Sequence, residues 1–348
     1  MKDYVKINFL RDKKTAANEA EHIRTLIANH LYPARFTMPL TLQFELTSHC
    51  NVHCKHCYNV SGENNSALDL MTPKHWKDFA RYLVERGGIF QCIISGGEPL
   101  LLGDDLFAIM DILHDDGTSF LVISNGLLMT REKAKRFTKY RYKWFQVSID
   151  GVSRERHDEF RQRAGSWDAA IRAVFMLVNL GIPVTIAHTV TPESLHEVDA
   201  MCDLAYSLGA SGIILGEVMP SGRSYLNDGI MLNREQKNIL QEKIAENSQR
   251  YSGRMQIQRS SGTKIQLMRD MNTPNAGAII RPNGDIRLDC VAPFVIGNVL
   301  QEDFYTVWNA KAHDVWSRPE ILEYVNSWDD MEEKNHGLKN YFDSDVRL

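Results

Sequence analysis

The sequence predicts an α/β protein built around a partial (β/α)6 TIM-like barrel, followed by a hairpin-plus-helix extension. Short segments rich in β-branched residues alternate six times with longer amphipathic segments between residues 41 and 247, which is typical of a parallel sheet covered by helices. Because crossovers between parallel strands are right-handed, such repeats curl toward a barrel. An Asn-Gly pair within the alternating apolar segment 278–288 predicts the hairpin.

The predicted elements follow one another closely along the chain. Each predicted strand is a short β-branched run, and each predicted helix has apolar residues at helical spacing. Strands are predicted at residues 41–46, 91–95, 119–124, 144–149, 183–189 and 212–217, and helices at residues 72–86, 104–115, 131–136, 167–180, 196–208 and 234–247. The expected organisation is an N-terminal helical leader at residues 1–37 with its helix over about 13–30, a barrel at 38–225 and an extension at 226–348.

Composition narrows the class of protein. The chain has 348 residues, 43% of them hydrophobic, and a formal net charge of −4. This content supports a sizeable core, and the interspersed charges do not point to nucleic acid or a membrane surface as a partner. No apolar run approaches the length of a membrane span, and the N-terminus lacks the apolar stretch of a signal peptide. We therefore expect a cytoplasmic protein.

Three of the six cysteines, Cys50, Cys54 and Cys57, lie within eight residues on the loop after the first predicted strand. In a reducing compartment such a group is typical of metal ligands rather than disulfides. A 4Fe–4S cluster normally has four Cys ligands, so three thiolates leave one iron open to a further ligand, as a catalytic zinc keeps an open position. Zinc, with His53 or His56 as fourth ligand, and a disulfide are the alternatives.

Residues suited to ligand binding follow other predicted strands. Active sites of parallel barrels lie at the carboxyl ends of the strands, and paired glycines let a backbone approach a ligand closely, although an ordinary glycine turn is the alternative. The candidates from these positions are Gly96 and Gly97, in the turn after the second strand, and Glu217 at the end of the sixth. Glu217 is expected to point toward the site and contact the substrate, whereas His188 is more typical of a buried core histidine.

The motifs at these strand ends resemble those of the radical S-adenosylmethionine (SAM) enzymes. The Cys-x3-Cys-x2-Cys order followed by the aromatic Tyr58 resembles the cluster signature of that family, and the Gly-Gly-Glu-Pro segment at 96–99 resembles its second motif. The stretch from Ser148 through Arg161 to Trp167 resembles the subgroup with a SPASM or Twitch extension.

The resemblance implies one 4Fe–4S cluster on the three cysteines, with SAM bound at its open iron. In that family an electron from the cluster splits the sulfonium into methionine and a 5′-deoxyadenosyl radical, which takes a hydrogen atom from the substrate. The backbone of residues 96–98 is implied to bind the SAM amino group, and Ser148 and Arg161 its carboxylate and ribose. The implied cofactor-binding set also includes Tyr58, Ser124, Asn125, Asp150 and Met219. For His157 we expect a structural role.

The segment 275–299 resembles the start of a SPASM domain, but its cysteines differ. In that domain a cysteine precedes the Ala-Gly pair and further cysteines follow, whereas here only Cys290 is present. One thiolate does not anchor a cubane, so we expect a SPASM-like hairpin and helix without an auxiliary cluster. Cys290 is then either a buried thiol or a hydrogen-atom donor, as a cysteine is in radical SAM peptide epimerases. Cys92 and Cys202 fit buried core thiols.

Three hypotheses on function follow from these features. The first is a radical SAM enzyme that modifies a ribosomally made peptide by epimerisation or crosslinking, reduced by a flavodoxin- or ferredoxin-type partner. The missing auxiliary clusters favour a redox-neutral outcome or return of the electron to the single cluster. The second is a radical SAM enzyme acting on a small molecule such as a sugar, nucleotide or amino acid. The third is a non-catalytic, zinc-binding scaffold.

Overall fold

The computed structural model describes residues 24–31, 35–62, 69–227, 229–260, 262–272, 276–329 and 345–348. Residues 24–28 are helical, whereas residues 13–23 of the predicted leader helix lie outside the described residues. The predicted α/β fold, a partial barrel with an open sheet, is confirmed over the part of the chain that follows.

The described strands join into one continuous sheet. They are β1 (Thr41–Glu45), β2 (Gln91–Ser95), β3 (Ser119–Ser124), β4 (Tyr142–Ser148), β5 (Val184–Val190), β6 (Gly212–Glu217), β7 (Gln256–Arg259), β8 (Gly277–Ile280), β9 (Asp285–Arg287), β10 (Phe294–Asn298) and β11 (Val346–Arg347). Their order is β11-β10-β9-β8-β1-β2-β3-β4-β5-β6-β7. The run from β8 through β1 to β7 is parallel throughout, and β9 is antiparallel to both of its neighbours. Because β7 and β11 are the two edges, the sheet does not close.

The described α-helices connect and cover these strands. They are α1 (Pro73–Glu85), α2 (Asp104–Asp115), α3 (Arg131–Phe137), α4 (Arg154–Arg161), α5 (Ser166–Asn179), α6 (Val198–Ser207), α7 (Arg234–Arg250), α8 (Thr263–Asn272), α9 (Phe304–Lys311) and α10 (Pro319–Ser327). Side-chain caps set where several of them begin: the Thr72 side chain accepts from the His75 amide before α1, and the Asn233 side chain accepts from the Gln236 amide before α7. Within the described residues, no helix combines the length and the apolarity needed to cross a membrane.

Side chains of the sheet alternate between two faces. In β1, Leu42 and Phe44 are fully buried, and the Phe44 ring packs 5.1 Å from the ring of Trp76 in α1. Gln43, between them, lines a cavity on the inner side of the sheet. The core therefore lies between the sheet and its helices, and the concave side is available to a ligand.

The parallel sheet is larger than the six strands that the sequence predicts. The first six strands lie within two residues of their predicted bounds, but β7 and β8 extend the parallel run to eight strands. β7, together with α7, follows the predicted boundary at residue 225, and α8 connects β7 to β8. Because β8 pairs with β1, the C-terminal hairpin continues the sheet of the barrel.

Candidate active site

Cys50, Cys54 and Cys57 lie together on the loop after β1, here called the cysteine loop (residues 49–58). Cys50 and Cys54 are buried and pack with Val52, and Cys57 packs against the same small cluster. All three are free thiols. The predicted grouping of these side chains is therefore present, without a disulfide.

Two neighbouring segments hold the cysteine loop in place. The His53 amide donates to the Arg161 carbonyl at 3.2 Å, which ties the loop to the end of α4. Arg223, after β6, donates from Nε to the Cys54 carbonyl at 2.9 Å and from Nη1 to the Ser61 carbonyl at 2.8 Å. This support from Arg223 is not among the sequence predictions, although a basic residue in a glycine turn at a strand end is a usable signal.

Cys50, Cys54 and Cys57 are the residues that would hold a 4Fe–4S cluster in this chain. Among the described side chains, no three His, Cys, Asp or Glu donors are grouped as the ligands of one metal ion are. Cubane thiolates bind different iron atoms of a cluster, so each of the three cysteines would hold one iron. Burial raises the pKa of Cys50 to about 12 and that of Cys54 to about 11, so iron binding must displace protons from both thiols.

The turn after β2 packs directly against the backbone of the cysteine loop. A Cβ on Gly97 would lie 1.8 Å from the His49 carbonyl oxygen, so only glycine fits there. The amides of Gly97 and Glu98 donate to the carbonyls of Thr47 and His49, at 2.6 and 2.8 Å. An ammonium group only donates hydrogen bonds, so a carbonyl oxygen of this turn, and not an amide, is suited to it.

A cavity of about 370 Å³, here called the upper chamber, lies beside the cysteine loop at the carboxyl ends of the strands. Its walls combine side chains from β2 to β6, from the loops after them and from the start of α8. The predicted residues that line it are Tyr58, Gly96, Ser148, Arg161, Glu217 and Met219. Walls not predicted from the sequence include Ile123, Gln146, Ala187, Thr189, Lys237 and Gln266.

Three predicted cofactor residues are placed behind the chamber wall instead. Glu98 is fully buried, and its carboxylate accepts from the Ser124 hydroxyl at 2.9 Å and from the Asn125 amide at 2.8 Å. Nδ2 of Asn125 donates to Asn51 Oδ1 at 2.7 Å and lies 3.8 Å from Cys50 Sγ. These side chains join the turns after β2 and β3 and support the cysteine loop, so they do not face a ligand in the chamber.

Asp150 also lies behind the wall, where it holds Arg161. Nε and Nη2 of Arg161 donate to Asp150 Oδ2 at 2.9 and 2.8 Å, and the Thr189 amide donates to Oδ1 at 2.8 Å. Although burial opposes ionisation, the Arg161 guanidinium holds the pKa of Asp150 well below its usual value. Charge-assisted pairing of this kind fixes a guanidinium group, so Arg161 lines the chamber in a set orientation.

Two histidines near the site are packed into the core. His157 Nδ1 accepts from the Asp150 amide at 3.0 Å, and burial lowers the pKa of His157 to about 4, so the ring is neutral. His188 Nδ1 donates to the Ile149 carbonyl at 3.2 Å. Neither ring is among the described walls of the upper chamber.

Glu217 lines the upper chamber between two basic side chains. Arg259 of β7 donates to Oε1 of Glu217, and Nζ of Lys237 lies 3.5 Å from Oε2. These two partners, which the sequence does not reveal, hold the carboxylate at the chamber wall.

A second cavity of about 530 Å³, here called the lower chamber, lies nearer the amino ends of the strands. Thr41 and Gln91, at the starts of β1 and β2, belong to its walls, and Cys290 lines it as well. Nε2 of Gln266 lies 3.5 Å from Cys290 Sγ. Ser260 and Gln266 line both cavities, so the two chambers adjoin.

Sequence comparison gives matches over most of the chain. The profile of the radical SAM superfamily matches residues 44–205. The antilisterial bacteriocin subtilosin biosynthesis protein AlbA of Bacillus subtilis (strain 168) is 27% identical over 325 residues, which cover 90% of this chain and 69% of AlbA. The mycofactocin maturase MftC of Mycolicibacterium smegmatis is 30% identical over 282 residues, covering 78% of this chain and 70% of MftC. The AdoMet-dependent heme synthase of Methanosarcina barkeri is 31% identical over 194 residues, covering 55% of this chain and 54% of the synthase.

Structure comparison finds the same architecture in solved proteins. SuiB of Streptococcus suis, bound to precursor peptide SuiA, matches with a TM-score of 0.65 and 14% identity, covering 94% of this chain and 75% of SuiB. At this identity the likeness concerns the fold alone.

Proposed function

The chain belongs to the radical SAM superfamily, whose members use a 4Fe–4S cluster and SAM, and we propose that it takes a hydrogen atom from a ribosomally made peptide during post-translational modification. The observation that carries the proposal is the pair of adjoining chambers. The upper chamber lies beside the cysteine loop, and the lower chamber lies nearer the amino ends of the strands. Support also comes from two relatives, a bacteriocin biosynthesis protein and a maturase, and from a protein of the same fold that binds a precursor peptide.

In this proposal Cys50, Cys54 and Cys57 hold the cluster, and SAM occupies the upper chamber. When bound, the cluster and SAM supply the 5′-deoxyadenosyl radical that takes a hydrogen atom from the substrate. A flavodoxin- or ferredoxin-type protein in the cytoplasm is the proposed source of electrons.

The walls of the upper chamber have separate tasks in SAM binding. The carbonyl group of Gly96, which lines the chamber, is suited to the SAM ammonium group, and Arg161 is suited to its carboxylate. Ser148 offers a hydroxyl to the ribose, and Tyr58 and Met219 offer apolar surface to the adenine.

The substrate is proposed to enter the lower chamber and to reach Glu217 of the upper chamber past Ser260 and Gln266, which line both chambers. At about 530 Å³ the lower chamber falls within the range of small-ligand sites, so it has room for the reacting residue of a peptide. With both oxygens beside basic groups, Glu217 is suited to accept a hydrogen bond from a substrate N–H.

A small molecule is the alternative substrate. It is favoured by the 31% identity to the heme synthase, a match that covers about half of that protein. The same chamber volume accommodates a small molecule as a whole.

Mass spectrometry separates the two substrate classes. The reconstituted enzyme is incubated anaerobically in D2O with SAM, dithionite and any short peptide found to be encoded beside its gene. A crosslink is expected to remove two hydrogens from the peptide, and epimerisation is expected to add one deuterium. A reaction without SAM is the control. An unmodified peptide, together with faster 5′-deoxyadenosine release when a small-molecule cell extract is added, would favour the small-molecule alternative.

For an epimerisation, we propose Cys290 as the hydrogen-atom donor. It lines the lower chamber, behind the chamber assigned to SAM. The substrate carbon radical takes the hydrogen atom of the Cys290 S–H bond, which leaves a C–H bond and a thiyl radical. One electron and one proton, the electron from the proposed reductant, restore the thiol.

Replacing Cys290 with alanine is expected to stop deuterium incorporation into the peptide while 5′-deoxyadenosine release continues. Cys290→Ser is the matched variant, because its hydroxyl fills nearly the same space but has an O–H bond too strong to give its hydrogen to carbon. Both variants are measured by the mass spectrometry described above. Normal deuterium incorporation by Cys290→Ala would exclude this role.

A further inference from the structure

A buried charged pair lies where the parallel neighbours β1 and β8 end. Glu45 is the last residue of β1, and Arg281 directly follows β8. Glu45 Oε2 lies 3.6 Å from Arg281 Nε. The two residues are 2% and 1% exposed, so neither charge is screened by solvent.

Asp345 reaches this pair from the far end of the described chain. Its Oδ2 accepts from Arg281 Nη1 at 3.1 Å, and its Oδ1 lies 3.5 Å from Arg287 Nη2. The residues after it are fixed by the sheet, because β11 pairs with β10 and the Leu348 carbonyl accepts from Lys311 Nζ at 3.0 Å. The backbone therefore holds the Asp345 carboxylate between two guanidinium groups.

The same group of side chains reaches the wall of the upper chamber. The Tyr58 hydroxyl donates to Glu45 Oε1 at 3.0 Å, and Arg281 Nη2 donates to Asn59 Oδ1 at 3.1 Å. Tyr58 lines the upper chamber and directly follows Cys57. Asp345 is thus connected through Arg281 and Glu45 to the residues that follow the cluster ligands.

The contacts of this buried charged group depend on one another because its carboxylates and guanidinium groups share partners. The described part of the group sets two carboxylates, Glu45 and Asp345, beside two guanidinium groups, Arg281 and Arg287. Removing one member of a buried pair leaves a charge that must find another partner, and buried polar networks respond as a unit. With Asp345 neutral, Arg281 is expected to draw Glu45 closer, which weakens the hydrogen bond from Tyr58.

We propose that Asp345 is a positioning residue for SAM binding, which holds Tyr58 and Asn59 in place through Arg281 and Glu45. Asp345 is not among the described walls of the upper chamber, so its effect on SAM is indirect. The inference rests on the proposed binding of SAM in that chamber, and it needs no assumption about the substrate.

The test uses SAM alone with the reconstituted full chain. The readouts are iron content, melting temperature, and the KM and kcat for SAM cleavage by the dithionite-reduced protein. Asp345→Asn is expected to raise the KM for SAM about tenfold, the effect of about 1.4 kcal/mol of lost binding, with kcat and iron content close to those of the unchanged protein. Asp314→Asn is the matched control: its side chain is 81% exposed and its Arg35 partner is 3.8 Å away, so its KM is expected to stay the same.

A double-mutant cycle separates positioning from a general loss of stability. Tyr58→Phe removes the hydroxyl that donates to Glu45, so in this background Asp345→Asn is expected to raise the KM less than about threefold further. Effects of independent changes add as free energies, so a purely structural defect at Asp345 would raise the KM by the same factor in both backgrounds.

Either an unchanged KM in Asp345→Asn or independent effects in the cycle overturn the proposal. If Asp345→Asn does not fold, Asp345→Glu, which keeps the charge but displaces it by one methylene, is carried through the same cycle and read in the same way. Failure of the unchanged protein to cleave SAM would instead overturn the proposed function, so the two failures are distinguishable.

Discussion

Replacing Cys54 with alanine is expected to abolish SAM cleavage. Cys54 is one of the three thiols assigned to the cluster, and Arg223 holds its carbonyl at 2.9 Å. Without it, two thiolates remain for an assembly that normally has four. Loss of an outer-shell partner typically costs 10–100-fold in metal affinity or activity, so loss of a direct ligand is expected to lower 5′-deoxyadenosine release by more than about 100-fold.

Iron and sulfide content after anaerobic reconstitution, and 5′-deoxyadenosine release with dithionite, measure this effect. Cys202→Ala is the matched control, because Cys202 is also fully buried but lies in α6, outside the cysteine loop. Removing its sulfur is comparable to removing one methylene, about 0.8 kcal/mol of stability. The iron and sulfide content and the release of 5′-deoxyadenosine are therefore both expected to stay close to those of the unchanged protein. SAM cleavage by the Cys54→Ala protein would contradict the ligand assignment.

The positions of the barrel strands were predictable because each strand carries its own local pattern. β2, β3 and β6 begin and end at the predicted residues. Since ligand sites of parallel barrels lie at the carboxyl ends of strands, the cysteine loop and the glycine turn are predicted at the correct edge of the sheet without knowledge of any contact between them.

Which side chains face the chamber depends on the two-residue alternation of each strand rather than on where the strand ends. Ile123 lines the upper chamber, so its neighbour Ser124 points to the opposite face, where it meets Glu98. In β4, Gln146 lines the chamber and Ser148, two residues later, does so as well. Residues two apart in a strand face the same side of the sheet. This spacing from a residue that lines the chamber is the sequence signal that tells Ser148, which lines the chamber, from Ser124, which does not.

Contacts between distant segments have no local signature. Of the four residues of β7 only Ile257 is buried, so its own pattern is too weak to predict a strand, and its conformation is supported by pairing with β6. The pairing of β8 with β1 and the position of Asp345 beside Arg281 likewise depend on the folded sheet. For this reason the sequence predicts the position of the cysteine loop but not the buried charged group of Glu45, Arg281 and Asp345 beside it.

Replacing Gly97 with alanine is expected to disable the site without removing any ligand. The added Cβ would lie 1.8 Å from the carbonyl oxygen of His49 and 2.4 Å from its carbonyl carbon. The β2 turn and the cysteine loop must then separate, which breaks the hydrogen bonds from the Gly97 and Glu98 amides, now 2.6 and 2.8 Å long. Overpacking of this kind costs about 1–3 kcal/mol of stability, and a displacement of about 1 Å in a site lowers the rate about 100-fold.

Gly181→Ala is the control that separates the effect of the steric clash at residue 97 from the effect of backbone strain. Gly181 has a φ of +75° and no atom within 4 Å of its added Cβ, so alanine there costs only backbone strain, about 1–2 kcal/mol, in the turn between α5 and β5. Denaturant unfolding is expected to show a similar loss of stability for both variants, whereas 5′-deoxyadenosine release is expected to fall only for Gly97→Ala. Equal release by the two variants would mean that the cysteine loop tolerates displacement of the glycine turn, and that close packing of the two backbones does not place the cluster against SAM.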